Sequence, residues 1–111
     1  MLKIDEDKQD GLVVLQLEGR LDTATAADLD FAAEPYVDEP TRLVVDLGKV
    51  AYVSSAGLRV FLMMAKKLQK SEGKLVLCGM SPSVREVFDI AGFSRMLQIE
   101  DDQAAARAAL G

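Results

Sequence analysis

Three short apolar runs, residues 12–17, 43–47 and 75–78, alternate along the chain with stretches whose apolar residues recur every three or four positions. This alternation constrains the fold more than any other feature. Strand–helix–strand repeats bring strands side by side in a largely parallel or mixed sheet, with the helices covering it. Leu12, Val13, Val14, Leu15 and Leu17 are bounded by Gly11 and Gly19 and read as a strand. Leu43, Val44, Val45 and Leu47 read as a central strand buried on both faces. Residues 2–4 suggest a short first strand, followed by a polar turn over 5–8 and a hairpin partner in 12–17.

The intervening segments carry helix signals. Asp22 or Thr23 is placed to cap a helix over residues 24–33, with Pro35 and Pro40 marking its exit and the next loop. Residues 48–53 read as a loop, and 56–70 as the longest helix, with Leu58, Phe61, Leu62, Ala65 and Leu68 as its apolar stripe. Val60, Met63 and Met64 flank that stripe, either as the edge of the packed face or as an exposed patch. Ser81 and Pro82 open a third helix that bears Val84, Val87, Phe88 and Ala91 and stops at Gly92. A last strand around 96–99 and a helix over 103–110, capped by Asp101 or Asp102, complete the order β-β-α-β-α-β-α-β-α. The expected architecture is α/β, a small mixed sheet with about four helices packed on it, in one domain spanning 1–111.

Composition narrows the function. Lys and Arg number 13 against 18 Asp and Glu, a formal charge of −5, which disfavours direct nucleic-acid binding. Histidine is absent and Cys78 is the single cysteine, so a His/Cys metal centre, a Ser-His-Asp triad and an internal disulfide are all excluded. No glycine pattern marks a nucleotide loop. No cofactor, metal or catalytic residue is expected, and the chain reads as a non-enzyme. Cys78 stands inside an apolar strand, where a thiol behaves as a small hydrophobe. Asp22, Asp46 and Asp89 are isolated acids on separate elements. The first residues lack the apolar core of a secretory signal, and the longest apolar run, 60–65, is far too short for a membrane span. A reducing, cytoplasmic setting without membrane insertion is expected.

The informative segment is 46–60, DLGKVAYVSSAGLRV. Its two serines stand where a strand or loop meets a strong helix, a position at which Ser commonly serves as N-cap. The segment resembles the signature of STAS domains, the bacterial anti-sigma factor antagonists. Residues 19–22, GRLD, resemble the family's second signature, and the resemblance continues through 73–79 (GKLVLCG) and 84–93 (VREVFDIAGF).

That resemblance implies a STAS-like fold and a binding switch in transcription regulation. Unphosphorylated, such a domain binds an anti-sigma factor that is also a serine kinase. Phosphorylation ends binding, and a metal-dependent serine phosphatase restores it. Anchored on Gly57 and Leu58, the phospho-acceptor falls on Ser55, the usual preceding acid on Ser54 and the family's second Ser/Thr on Ala56. Asp22 matches the acid whose loop lies beside the acceptor. The implied partner surface comprises Asp22, Thr23, Ser54, Ala56, Gly57, Leu58 and Arg59. The alternative implied is a non-cycling STAS scaffold in a stressosome-like or lipid-transport complex.

Overall fold

The computed structural model describes residues 1–110. Strands β1 (Leu2–Gln9) and β2 (Leu12–Leu21) form an antiparallel hairpin, with Gln9 opposite Leu12. The turn between them is Asp10 and Gly11, both at positive φ (49° and 79°). Two such residues match the twist of a tight hairpin, and Asp-Gly is a pair that tolerates it. The expected polar turn at 5–8 is therefore strand. Its charges are tolerated because β1 is a sheet edge facing water, where charge also discourages further pairing.

From β2 onward the sheet is parallel. Helix α1 (Ala26–Val37) leads to β3 (Arg42–Val53), α2 (Ser55–Lys70) to β4 (Lys74–Cys78), and α3 (Pro82–Ile90) to β5 (Gln98–Glu100). The strand order is β1-β2-β3-β4-β5, so each crossover steps to the next position in the same direction. Right-handed crossovers that all step one way place their helices on one face. Accordingly Leu29 and Ala33 of α1, Phe61 and Leu68 of α2, and Val84 and Phe88 of α3 share one core with Leu15, Leu43, Val45 and Leu77. The rings of Phe61 and Phe88 stack tilted at 5.9 Å between centroids. The last helix, α4 (Gln103–Ala109), is capped by Asp102, which accepts from the Ala105 N–H at 2.8 Å. It covers the opposite face, where Ala106 and Leu110 pack on Val14, Val44, Val76 and Cys78. No helix among the described residues is long and apolar enough to cross a membrane.

Several boundaries differ from the sequence reading. β3 does not end at Leu47: residues 48–53 continue it, pairing Glu18 with Lys49 and Leu21 with Val53 across two irregularities in register. α1 begins at Ala26 because residues 22–25 form a turn first, and it runs past Pro35 to Val37. Proline there removes one helical hydrogen bond near the helix end, while Val37 beyond it is buried at 2% exposure. On α2, Val60 and Met64 join the core, Leu62 and Ala65 are only partly buried, and Met63 alone of the methionine pair is exposed. Ala91, expected on the packed face of α3, is exposed.

Candidate functional site

Four parallel strands deliver their carboxyl ends to one rim, and the helices that follow start there. Ligand and partner sites in open α/β sheets concentrate at such rims. Two of the loops there hold the residues singled out from the sequence. The end of β2 lies beside the end of β3, and the Ser54 N–H donates to the Leu21 carbonyl at 2.8 Å. This bond ties the Asp22 loop to the start of α2.

Ser54 is the N-cap of α2: its backbone is extended, its Oγ accepts from the Gly57 N–H at 3.4 Å, and its carbonyl accepts from the Leu58 N–H at 3.0 Å. Ser55 is the first residue of the helix and is exposed. Capping therefore falls to Ser54 and leaves the Ser55 hydroxyl at the surface, where unpaired N–H groups and the helix dipole favour an anion.

Asp22 is held by its own loop. Its Oδ1 accepts from the N–H groups of Ala24 (3.0 Å) and Thr25 (3.1 Å). The Thr25 N–H is the main reason its carboxyl is held below the ordinary carboxylate range. Thr25, buried at 6% exposure, closes the turn from beneath: its hydroxyl accepts from the Asp22 N–H (2.9 Å) and donates to the Arg20 carbonyl (2.7 Å). Thr25 was not among the residues expected from sequence. The spacing of Asp22 and Thr25 across one turn, each able to bond the other's backbone, is the signal that could have found it.

The structure thus brings Asp22, Thr23, Ser54, Ser55 and Arg59 to one surface, with Ala56 partly covered. Gly57 and Leu58 lie beneath it. Leu58 is 4% exposed and belongs to the core. Gly57 is buried against Leu21, so its role is to let α2 approach β2. Arg20 and Tyr52, on neighbouring strand ends, stack at 4.5 Å from guanidinium to ring centroid.

The remaining candidates have structural work elsewhere. Asp46 accepts from the Gly48 N–H (2.8 Å) and the Gln103 side chain (2.6 Å), linking β3 to α4. It also borders a cleft of about 310 Å³ with Gln16, Leu17, Gly48 and Lys49. Asp89 is bonded by Ser94 and by Arg85, and both lower its carboxyl. Cys78 is fully buried, and desolvation first, with the charges of Asp46 and Asp102, pushes its thiol up to about 12. Among the described residues no group of three or more His, Cys, Asp or Glu gathers to hold a metal.

The chain is similar to known proteins along nearly its whole length. The STAS domain family model matches residues 3–106. A Bordetella bronchiseptica protein named as an anti-sigma factor antagonist, BtrV, is 43% identical over 109 residues, covering 97% of this chain and 94% of its own length. The crystal structure of an anti-sigma factor antagonist from Mycobacterium paratuberculosis superposes with a TM-score of 0.89 at 24% identity, covering 99% of this chain and 94% of the other. The Bacillus antagonist SpoIIAA shares the fold in its unphosphorylated form (TM-score 0.78, 18% identity, 96% of each chain). Its phosphorylated form does so too (TM-score 0.73, 17% identity, 96% of this chain and 99% of that one). With the family model spanning nearly the whole chain and a close relative at that identity, the chain belongs to the STAS domain family.

Proposed function

We propose that the protein is an anti-sigma factor antagonist that works as a phosphorylation-controlled binding switch. Unmodified, it binds an anti-sigma factor that is also a serine kinase. The kinase phosphorylates Ser55 and is then released, and a metal-dependent serine phosphatase resets the switch. The observation that carries this reading is the division of labour between the two serines. Ser54 caps α2 and Ser55 stands exposed beside it, so Ser55 is free to be modified without loss of the cap.

Physical chemistry supports a switch at this position. A phosphoryl group adds a charge of about −1.5 to −2 and three acceptor oxygens. A helix N-terminus accommodates that charge with little rearrangement. Burying it against a partner without a matching cationic pocket costs several kcal/mol. The fold therefore persists while the interface is lost. The name of the Bordetella relative supports the antagonist role, and SpoIIAA is an instance of the same fold carrying phosphate.

Mass spectrometry after incubation with the anti-sigma kinase and ATP tests the acceptor. Phosphate on Ser55, retained in Ser54→Ala and absent from Ser55→Ala, is expected. Phosphate confined to Ser54, or none at all, would overturn the assignment.

A further inference from the structure

Helix α2 carries charge of a single sign. Arg59, Lys66, Lys67 and Lys70 lie on it with no Asp or Glu, in a chain whose net charge is −5. The adjoining α1 is the reverse, with Asp28, Asp30 and Glu34 and no cation. Positions 55, 59, 63, 66 and 70 follow one another at steps of three or four, which places them in one line along a helix. All five are exposed, opposite the buried row Gly57, Phe61, Met64 and Leu68. The line runs about 22 Å at 1.5 Å per residue, from the proposed acceptor Ser55 to the last turn.

Some cations elsewhere in the fold find partners within it, while Lys3, Lys49, Lys74 and Arg95 stand singly rather than along one helix. Arg85 pairs with Asp89, Arg107 with Asp7, and Arg42 donates to the Asp10 carbonyl. Among the described residues no carboxylate lies within ion-pair distance of the α2 cations. Lys67 and Lys70 complement the helix dipole at the C-terminal end. Arg59 does not: it stands in the second turn, far from the C-terminal carbonyls that favour a cation. Met63 interrupts the charge with an apolar side chain at 48% exposure. Local stability explains neither residue.

We propose that this exposed line of α2, from Ser55 through Arg59, Met63, Lys66 and Lys70, is the docking surface for an acidic segment of the anti-sigma partner. The inference rests on the function proposed above and specifies the chemistry of the partner's surface. Carboxylates spaced along the segment meet Arg59, Lys66 and Lys70, and an apolar side chain among them meets Met63. The stripe follows one line of α2, with Lys67 at its side, and α2 packs against the acidic α1. A protein segment can follow such a stripe and stay clear of α1. A bilayer or a nucleic acid presents phosphates on both sides and is repelled by α1. Arg59 follows Ser55 by four residues, so phosphate on Ser55 draws on the same cation that the partner's carboxylate would use.

The test compares wild type, the double reversal Lys66→Glu/Lys70→Glu and the control Lys3→Glu on β1, each checked for folding by circular dichroism. Association with the purified anti-sigma kinase is followed by surface plasmon resonance at 50 and 300 mM salt. Carbodiimide cross-linking, which joins amines directly to carboxyls, identifies the contacts. The double reversal is expected to weaken binding about tenfold at low salt, mostly through slower association, with the gap narrowing at high salt. The control is expected to bind as wild type does, and Lys66 or Lys70 to cross-link to partner carboxylates. Unchanged binding by the double reversal overturns the docking surface and leaves the switch standing. Failure of wild type to bind the kinase overturns both. Loss of binding to phosphatidylserine vesicles or single-stranded DNA, with kinase binding intact, replaces the protein partner with a polyanion.

Discussion

A Cβ built on Gly57 would lie 2.7 Å from Leu21 Cγ and 3.3 Å from the Leu21 carbonyl oxygen. The first turn of α2 therefore rests directly on the last residue of β2. That contact, with the bond from the Ser54 N–H to the Leu21 carbonyl, sets the height of Ser55 above the Asp22 loop. A methyl group at position 57 must displace the Leu21 side chain or lift the helix. Overpacking of this kind costs about 1–3 kcal/mol, partly offset by about 1 kcal/mol of better helix propensity.

Gly57→Ala is expected to be destabilised by about 1 kcal/mol in urea unfolding, and the loss should shrink in a Leu21→Val background. Additive effects of the two substitutions would place the strain elsewhere, since contacting residues couple and distant ones do not.

Removing either serine should have different consequences for stability. Ser54→Ala loses the cap, and because that bond is long the expected cost is about 0.5–1 kcal/mol. Ser55→Ala should lie within about 0.5 kcal/mol of wild type, as exposed substitutions do. Thermal melts that rank the two in the opposite order would contradict the assignment of the cap to Ser54.

Thr25→Val should be costly even though the volume is nearly kept. The Asp22 N–H and the Arg20 carbonyl both lose their partner at a buried position, which costs about 1–3 kcal/mol. Thr25→Ser should restore most of the stability and the order of the loop. Amide hydrogen exchange at Asp22 reports this directly: fast in Thr25→Val, slow in wild type and Thr25→Ser.

The carboxyl of Asp22 titrates below its ordinary value because the N–H groups of its loop favour the anion, that of Thr25 foremost. A lowered native pKa means that the contribution is complete above the unfolded value of about 3.9. It is lost as pH falls through the native value. The stability difference between wild type and Asp22→Asn should thus be largest at pH 7, unchanged down to about pH 5, and smaller at pH 3. A difference that grows toward acid would reverse the assigned sign.

The element order was legible because β-branched runs and helical stripes rarely mimic one another over this length. Boundaries were less so. Residues 48–53 read as a loop, yet they stay extended because β2 continues alongside them, a tertiary fact with no local signal. The width of the buried face of α2 also depends on its neighbours: Met64 is covered and Met63 is not, although the two are adjacent in sequence. The serines were visible as a pair at a helix start. Which one caps depended on where β3 ends, and that was set by its pairing with β2. The charge sorting between α1 and α2 was written in the sequence, but its meaning required both helices on one face of the sheet.

The switch at Ser55 is tested most directly by titration calorimetry of the anti-sigma kinase with the unmodified and the Ser55-phosphorylated protein, side by side. Desolvating a phosphate at the interface costs several kcal/mol, and about 1.4 kcal/mol is a tenfold change. The phosphorylated form is expected to bind at least about a hundredfold more weakly, with circular dichroism spectra unchanged. Equal affinities for the two forms would contradict the account.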